Sequence, residues 1–242
     1  MITYGLVGYP LSHSYSKQFF LDKFRQEQIM AEFINWSIPT LEEFPAILQQ
    51  HPNLRGFSVT IPHKENIIPL LHEISPEAKA IGAVNSVGVK NGVLTGYNTD
   101  VHGFQHSLQP LLKPHHQSAL VLGTGGASKA ICWTLEQLSI TPTCVSRTPA
   151  KNQLSYEMVT PELLKTHTVI VNTTPLGMYP NNHTFPELPY AAMTDKHLLF
   201  DLTYNPEVSL FLAKGQEQGA SIKNGREMLG LQAERSWELW TQ

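Results

Sequence analysis

Apolar positions along the chain fall into short dense runs, separated by longer stretches in which they recur at helical spacing. ITYGLVG at 2–8 is the first such run, broken by the turn residues Gly8, Tyr9 and Pro10. A helix is expected from Ser14 or Ser16 through FFLDKFRQEQ, then a strand over AEFINWSI. A second helix is expected over LEEFPAILQQ, with Thr40 as its N-cap. LRGFSVT reads as a third strand that ends at Ile61, Pro62 and His63. AVNSVGV and VLTGYN flank Asn91-Gly92, a pair that supplies the positive-φ residues of a tight hairpin.

After Asp100 the pattern changes. VHGFQHSLQPLL is expected to be a connecting helix, followed by a polar break at Lys113–Gln117. SALVLG is continuously apolar, as a strand buried on both faces must be. It runs straight into GTGGASKAICWTLEQL, a glycine turn that opens a helix. TPTCVS, HTVIVNTT and HLLFDLT repeat the strand theme, and Arg226–Trp240 is an amphipathic segment suited to packing back on the first half. Such alternation predicts an α/β protein with largely parallel sheet and a domain boundary near 100–116.

Composition narrows the function classes. A chain of 242 residues, 41% hydrophobic and 15% charged, has room for one large or two small cores. Its formal net charge of −3, with no Lys/Arg-rich run, argues against a nucleic-acid partner. The absence of a basic, apolar leader or a membrane-length apolar stretch gives the expectation of a cytoplasmic protein without membrane contact. The two cysteines, Cys132 and Cys144, have neither metal-ligand spacing nor a disulfide framework, and read as packed thiols in a reducing compartment. The eleven histidines form no metal-binding pattern, so no metal is expected.

Candidate chemistry lies in two places. Gly123, Thr124, Gly125, Gly126 and Ala127 stand between an expected strand and an expected helix. That context lets the backbone approach a pyrophosphate at a helix N-terminus. About twenty residues on, where an NAD site carries an acidic ribose reader, the segment from Pro142 to Lys151 has no Asp or Glu. It offers Ser146, Arg147, Thr148 and Lys151, donors suited to the 2′-phosphate of NADP. An ordinary solvated turn with a helix start at Thr148-Pro149 is the alternative. The second place is a set of polar clusters at expected strand ends. These are Ser12 to Ser16, Ser58 to Lys64, and Gly96 to Asp100 with Asn85 on the strand before it. A lysine held beside an aspartate can serve as the acid/base that hydride transfer to a carbonyl requires.

The segments GYPLSHSYS, SVTIPHK, GAVNS, GYNTDVHG, GTGGASKA, SRT, NTTPLGM, DLTYNP and NGREMLGLQA occur in this order, and together they resemble the shikimate dehydrogenase family over essentially the whole chain. The resemblance implies two domains. One is an N-terminal α/β substrate domain over 1–100, joined by a returning C-terminal helix at 226–242; the other is a Rossmann-like NADP-binding domain over 101–225. It implies NADPH-dependent reduction of 3-dehydroshikimate to shikimate, on the route to aromatic amino acids, by a monomer or homodimer. By position, Ser14 and Ser16 would hold the substrate carboxylate, and Thr60, Asn85, Asp100 and Gln232 the ring hydroxyls, with Tyr204 closing the site. Lys64 would be the acid/base, aided by Asp100. Gly123 to Ala127 would hold the pyrophosphate and Ser146, Arg147, Thr148 and Lys151 the adenosine phosphate. Leu202 and Gly225 would line the nicotinamide pocket.

The chain departs from the family pattern at Lys17 (usually Pro), Ser58 (Asn), Ser86 (Thr), Ser146 (Asn), Lys151 (a second Arg) and Glu227 (Gly). None of these removes a proposed catalytic group; Ser146 and Lys151 bear on the strength of NADP preference. Two alternatives stand beside this reading: a quinate/shikimate enzyme of dual specificity, and a non-catalytic nucleotide-binding relative.

Overall fold

The first apolar run becomes β1 (Ile2–Gly8), and everything in it after Ile2 is buried. It lies between two parallel neighbours, which explains a continuous apolar run in place of an alternating one. The computed structural model describes residues 1–11 and 15–242. After β1 come α1 (Tyr15–Gln26), β2 (Ala31–Ser37), α2 (Phe44–Gln50), β3 (Leu54–Val59), β4 (Glu73–Ile74), α3 (Pro76–Ile81), β5 (Ser86–Lys90), β6 (Val93–Tyr97) and α4 (Asp100–Leu108). The second half adds β7 (Ser118–Leu122), α5 (Gly126–Gln137), β8 (Thr141–Val145), α6 (Pro161–Leu164), β9 (Val169–Asn172), β10 (Leu198–Asp201), α7 (Leu210–Gln216), β11 (Ser221–Asn224) and α8 (Arg226–Trp240). The chain divides into two units, Met1–His102 with Leu229–Gln242, and Gly103–Met228.

The first unit carries a six-stranded sheet in the order β2-β1-β3-β5-β6-β4. Parallel pairing holds among β2, β1 and β3 and again between β4 and β6; β5 runs antiparallel to both β3 and β6. This sheet is therefore mixed, with β5 as the antiparallel strand inside it. The Asn91-Gly92 turn, with φ of 53° and 78°, returns the chain at once and forces an antiparallel neighbour. Alternate residues of β1 feed two cores. Tyr4 and Leu6 join Phe20, Phe24, Phe33 and Trp240 on one face, while Val7 joins Trp36, Phe44, Phe57 and Val59 on the other. Thr40 does not cap the second helix. It stands extended before a 3-10 turn at Leu41–Glu43 without a side-chain capping bond. The α-helix starts only at Phe44, because the proline that follows is tolerated only in a first turn.

The second unit has an all-parallel, five-stranded sheet in the order β11-β10-β9-β7-β8. Its strands also alternate between two cores, Ala119 and Val121 packing with Ile131 and Leu135, and Leu120, Leu122 and Leu199 with Phe211 and Leu212. The chain leaves β7 toward β8 on one side and returns through β9 on the other. The carboxyl ends of β7 and β9 thus flank the switch point at which such sheets bind ligands. Among the described residues, no helix is long and apolar enough to cross a membrane.

Residues of α8 after Met228 complete the first unit. Trp240 stacks on Tyr4 with ring centroids 5.5 Å apart, lies 5.0 Å from Phe20, and donates its indole N–H to Ser86 Oγ at 3.0 Å. Gly56 leaves the room for it: a Cβ there would stand 2.2 Å from the indole. Trp240→Ala is expected to cost about 3–5 kcal/mol, as cavity formation around a large aromatic does, and to leave the Ser86 hydroxyl without its donor. Urea unfolding followed by circular dichroism measures this. A loss below about 1 kcal/mol would show that the helix return does not depend on the indole.

Candidate active site

Lys64 sits in the segment that follows β3, and its backbone is fixed on both sides. Val84 donates its N–H to the Lys64 carbonyl at 2.8 Å, and Ile67 donates to the His63 carbonyl at 2.9 Å. His63 is buried, with its Nε2 2.7 Å from the Ile38 carbonyl, so that nitrogen carries the proton and donates. The next side chain along is the lysine. Its ammonium reaches Asp100 Oδ2 at 2.5 Å, with side-chain exposures of only 14% and 9% for the pair.

Asp100 is the first residue of α4, where unpaired backbone N–H groups favour a negative charge. Its other oxygen accepts from Asn85 Nδ2 at 2.9 Å. Asn85 immediately precedes β5 and is itself clamped, its carbonyl accepting from Val59 and its N–H donating to Tyr97. The Asn85 Oδ1 accepts from the Thr99 N–H at 2.6 Å. The Asn85 amide also approaches Gln232 Oε1 at 3.4 Å. Thr99 Oγ1 lies 3.0 Å from Ser236 Oγ, which donates in turn to the Gln232 carbonyl at 2.9 Å. Lys64, Asp100, Asn85 and Gln232 are thus brought into one buried network, together with Thr99 and Ser236. Thr99 fell within the expected polar cluster Gly96 to Asp100 without a role of its own, and Ser236 was not among the expected site residues. The signal for Ser236 was its place one helical turn after Gln232 on α8.

Thr60 and Ser16, also expected at the substrate, belong to the same unit. Thr60 follows β3, donates its N–H to the Val7 carbonyl, and turns its methyl toward Gly8. Ser16 lies half-buried in the first turn of α1. Ser14 lies outside the described residues. Tyr204 belongs to the second unit, on the loop after β10, and is half-buried.

In the second unit, β7 ends at Leu122 and α5 begins at Gly126, so Gly123, Thr124 and Gly125 form the turn and Gly126 and Ala127 the first turn of the helix. Gly123 has φ of +110°, and a Cβ there would meet Thr173 Oγ1 at 2.7 Å, across the switch point. Gly125, the N-cap, has nothing within 4 Å of where its Cβ would be. This open cradle in front of helix N–H groups fits a pyrophosphate. Ser146, Arg147, Thr148 and Lys151 follow β8. Ser146 is buried and accepts from the Thr148 N–H at 3.2 Å, while Arg147, Thr148 and Lys151 are exposed. No helix starts at Thr148-Pro149. The donor set, without a carboxylate, fits a 2′-phosphate better than a bare ribose. Leu202 and Gly225 are adjacent: a Cβ on Gly225 would stand 2.1 Å from the Leu202 carbonyl oxygen, so only glycine allows this approach.

One buried acid ties these loops together. Asp201, at the end of β10, accepts from Ser209 Oγ at 2.5 Å, the Thr203 N–H at 2.9 Å and Asn172 Nδ2 at 3.0 Å. Burial pushes its carboxyl up to about 6 against the pull of these donors. Among the described residues, no group of three or more His, Cys, Asp and Glu is placed to hold a metal ion.

A parallel nucleotide-type sheet with a glycine cradle, joined to a unit holding a buried lysine–carboxylate pair, is the layout of a dinucleotide-dependent oxidoreductase. Comparison with known proteins narrows the class. Residues 6–87 match the model of the shikimate dehydrogenase substrate binding domain. A protein of Desulforamulus reducens named shikimate dehydrogenase (NADP(+)) is 34% identical over 269 residues, taking in 98% of this chain and 89% of its own. A Methanosphaera stadtmanae protein of the same name is 31% identical over 256 residues, 98% of this chain and 90% of its own. The crystal structure of Thermus thermophilus shikimate 5-dehydrogenase in complex with NADP(H) and shikimate matches with a TM-score of 0.87 and 30% identity, covering 100% of this chain and 94% of that one. The chain belongs to the shikimate dehydrogenase family.

Asp201 gives a pH test of the second unit. Its carboxyl has an ordinary value of 3.8 and is raised to about 6 in the fold. Between those values the folded chain keeps a proton that the unfolded chain has released, so this group's contribution to stability falls as pH rises through the window. Asp201→Asn removes that dependence. The variant is expected to gain on the wild type by up to about 3 kcal/mol between about pH 4 and about pH 7. Urea titrations of both proteins across that range measure the difference; a flat or opposite trend would contradict it.

Proposed function

We propose that this chain catalyses the reversible NADPH-dependent reduction of 3-dehydroshikimate to shikimate, a step of aromatic amino-acid (chorismate) biosynthesis. The observation that carries the reading is the nearly buried Lys64–Asp100 pair, 2.5 Å apart and locked by Asn85. The Thermus relative holds both NADP(H) and shikimate in its crystal structure, which supports the same ligands here. The substrate is a small molecule, and its carboxylate goes to Ser14 and Ser16. Its ring hydroxyls go to Thr60, Asn85, Asp100 and Gln232.

Bound NADPH supplies the hydride. Lys64 Nζ delivers the proton that the ring oxygen needs once the carbonyl carbon is reduced, and takes it back in the reverse direction. Asp100 keeps the ammonium aimed and offsets its charge, and the amine left after proton transfer still has a hydrogen-bond partner. With one carboxylate oxygen on Lys64 and the other on Asn85, the acid cannot rotate away. The cradle from Gly123 to Ala127 holds the pyrophosphate, Ser146, Arg147, Thr148 and Lys151 the adenosine phosphate, and Leu202 and Gly225 border the nicotinamide.

The direct test is steady-state oxidation of shikimate and of quinate, each with NADP and NAD, read as absorbance of the reduced nicotinamide. Turnover is expected with shikimate and NADP; none with any pair would remove the reading in favour of a non-catalytic relative. Comparable rates on quinate would make the enzyme one of dual specificity. Lys64→Ala is expected to lower turnover on the order of 10²–10⁴-fold with the circular dichroism spectrum retained, and an unchanged rate would take Lys64 out of the mechanism. Arg147→Ala is expected to raise KM for NADP far more than for NAD, since only NADP carries the phosphate. Equal losses would assign Arg147 a structural part instead.

A further inference from the structure

Two thiols that the reaction does not use lie side by side in the nucleotide unit. Cys132 is on α5 and Cys144 on β8, and their sulfurs are 3.4 Å apart. Both are half-buried, which leaves a path for a small reagent. The pair is asymmetric. The hydrogen bond between the two thiols lowers Cys144 to about 7, although burial and Glu136 oppose it, while the same bond and burial push Cys132 upward. One sulfur is therefore the readier nucleophile and the other sits behind it as resolving thiol.

The mechanical setting matters as much as the chemistry. β8 is an edge strand whose neighbour in the sheet is β7 alone. Beyond it the chain is held by an isolated bridge to Leu154, with hydrogen bonds from Leu154 to the Cys144 carbonyl and from Ser146 to the Leu154 carbonyl. A disulfide needs its sulfurs at about 2.05 Å, more than an ångström closer than they now stand. The displacement falls on the edge strand more readily than on α5, which is packed into the core through Ile131 and Leu135. Cys144 is two residues from Ser146 and three from Arg147.

We propose that Cys132 and Cys144 are an oxidation site for low-molecular-weight disulfides, and that closing the bond weakens dinucleotide binding by displacing Ser146 and Arg147. The second half rests on the NADP reading of those residues given above. The Cys144 thiolate attacks one sulfur of RSSR, forming a Cys144–SR mixed disulfide and releasing RS⁻. Cys132 sulfur then attacks Cys144 Sγ, forming the internal disulfide and expelling the second RS⁻. Both protein thiols are oxidised, one RSSR is reduced to two RSH, and the two protein thiol protons end on the released thiolates.

The probe is oxidised glutathione on the intact protein, followed by peptide mapping and by NADP titration of tryptophan fluorescence. In the wild type, a Cys132–Cys144 cross-link is expected, with loss of two hydrogen masses and reversal by dithiothreitol. NADP affinity should fall on the order of tenfold, the equivalent of one charge-assisted hydrogen bond. Cys132→Ser should stop at a glutathione adduct on Cys144, and Cys144→Ser should react far more slowly. A wild type that ends in adducts without a cross-link, an adduct that prefers Cys132, or a cross-link that leaves NADP affinity unchanged would overturn the proposal. Reduced wild-type protein that fails to bind NADP would instead overturn the cofactor reading, because the cross-link is scored by mass alone.

Discussion

Two opposite charges held almost out of water, on Lys64 and Asp100, govern the construction of the first unit. Removing an ion from water costs several kcal/mol, and the partner recovers that only with good geometry and with the remaining polar atoms satisfied. The structure meets both conditions from four separate stretches of chain. The turn after β3 carries the lysine, the start of α4 carries the aspartate, the residue before β5 supplies Asn85, and α8 supplies Gln232 and Ser236. Each is pinned by backbone hydrogen bonds before its side chain is used. The network therefore ties the turn after β3, the start of β5, the start of α4 and the last helix together around one ion pair.

The second unit is organised by space in place of charge. Its glycine turn crosses the switch point so closely that Thr173 would collide with any side chain at 123, and Gly225 meets the Leu202 carbonyl in the same way. Around these approaches, Asp201 gathers the ends of β9 and β10 and the start of α7 through Asn172, Thr203 and Ser209. The loops proposed to face the dinucleotide are thus held by contacts within the unit itself.

Much of this was legible in the sequence, for identifiable reasons. Strands buried on both faces advertise themselves as apolar runs, so β1, β7, β9 and β10 were found; the Asn91-Gly92 hairpin was found because positive φ has few other suppliers. Short elements escaped. β11 is Ser-Ile-Lys-Asn at a sheet edge, too polar and too brief to register. α3 and α6 left only local marks, Ser75-Pro76 and Thr160-Pro161, in which the first residue caps the helix and the proline opens it. The lysine and aspartate could be nominated from their places at strand ends, but their meeting could not. They are 36 residues apart, and Thr99 and Ser236 are 137 apart. Spacing along a chain says nothing about such pairs until the sheet order is known, and it likewise hid the proximity of the two cysteine sulfurs.

The division of the chain has a consequence for biosynthesis. The nucleotide unit is one uninterrupted segment, Gly103–Met228, while the first unit draws on both sides of it. On the ribosome, every strand of the second sheet emerges before Leu229 does. The six strands of the first sheet emerge earlier still, yet they wait, with the aromatic face of Tyr4 and Phe20 uncovered and Asn85 and Thr99 lacking their α8 partners. A nascent chain of this protein thus carries an exposed apolar face for as long as it takes to translate well over a hundred residues. That interval, more than the stability of the finished fold, is when it needs protection from aggregation.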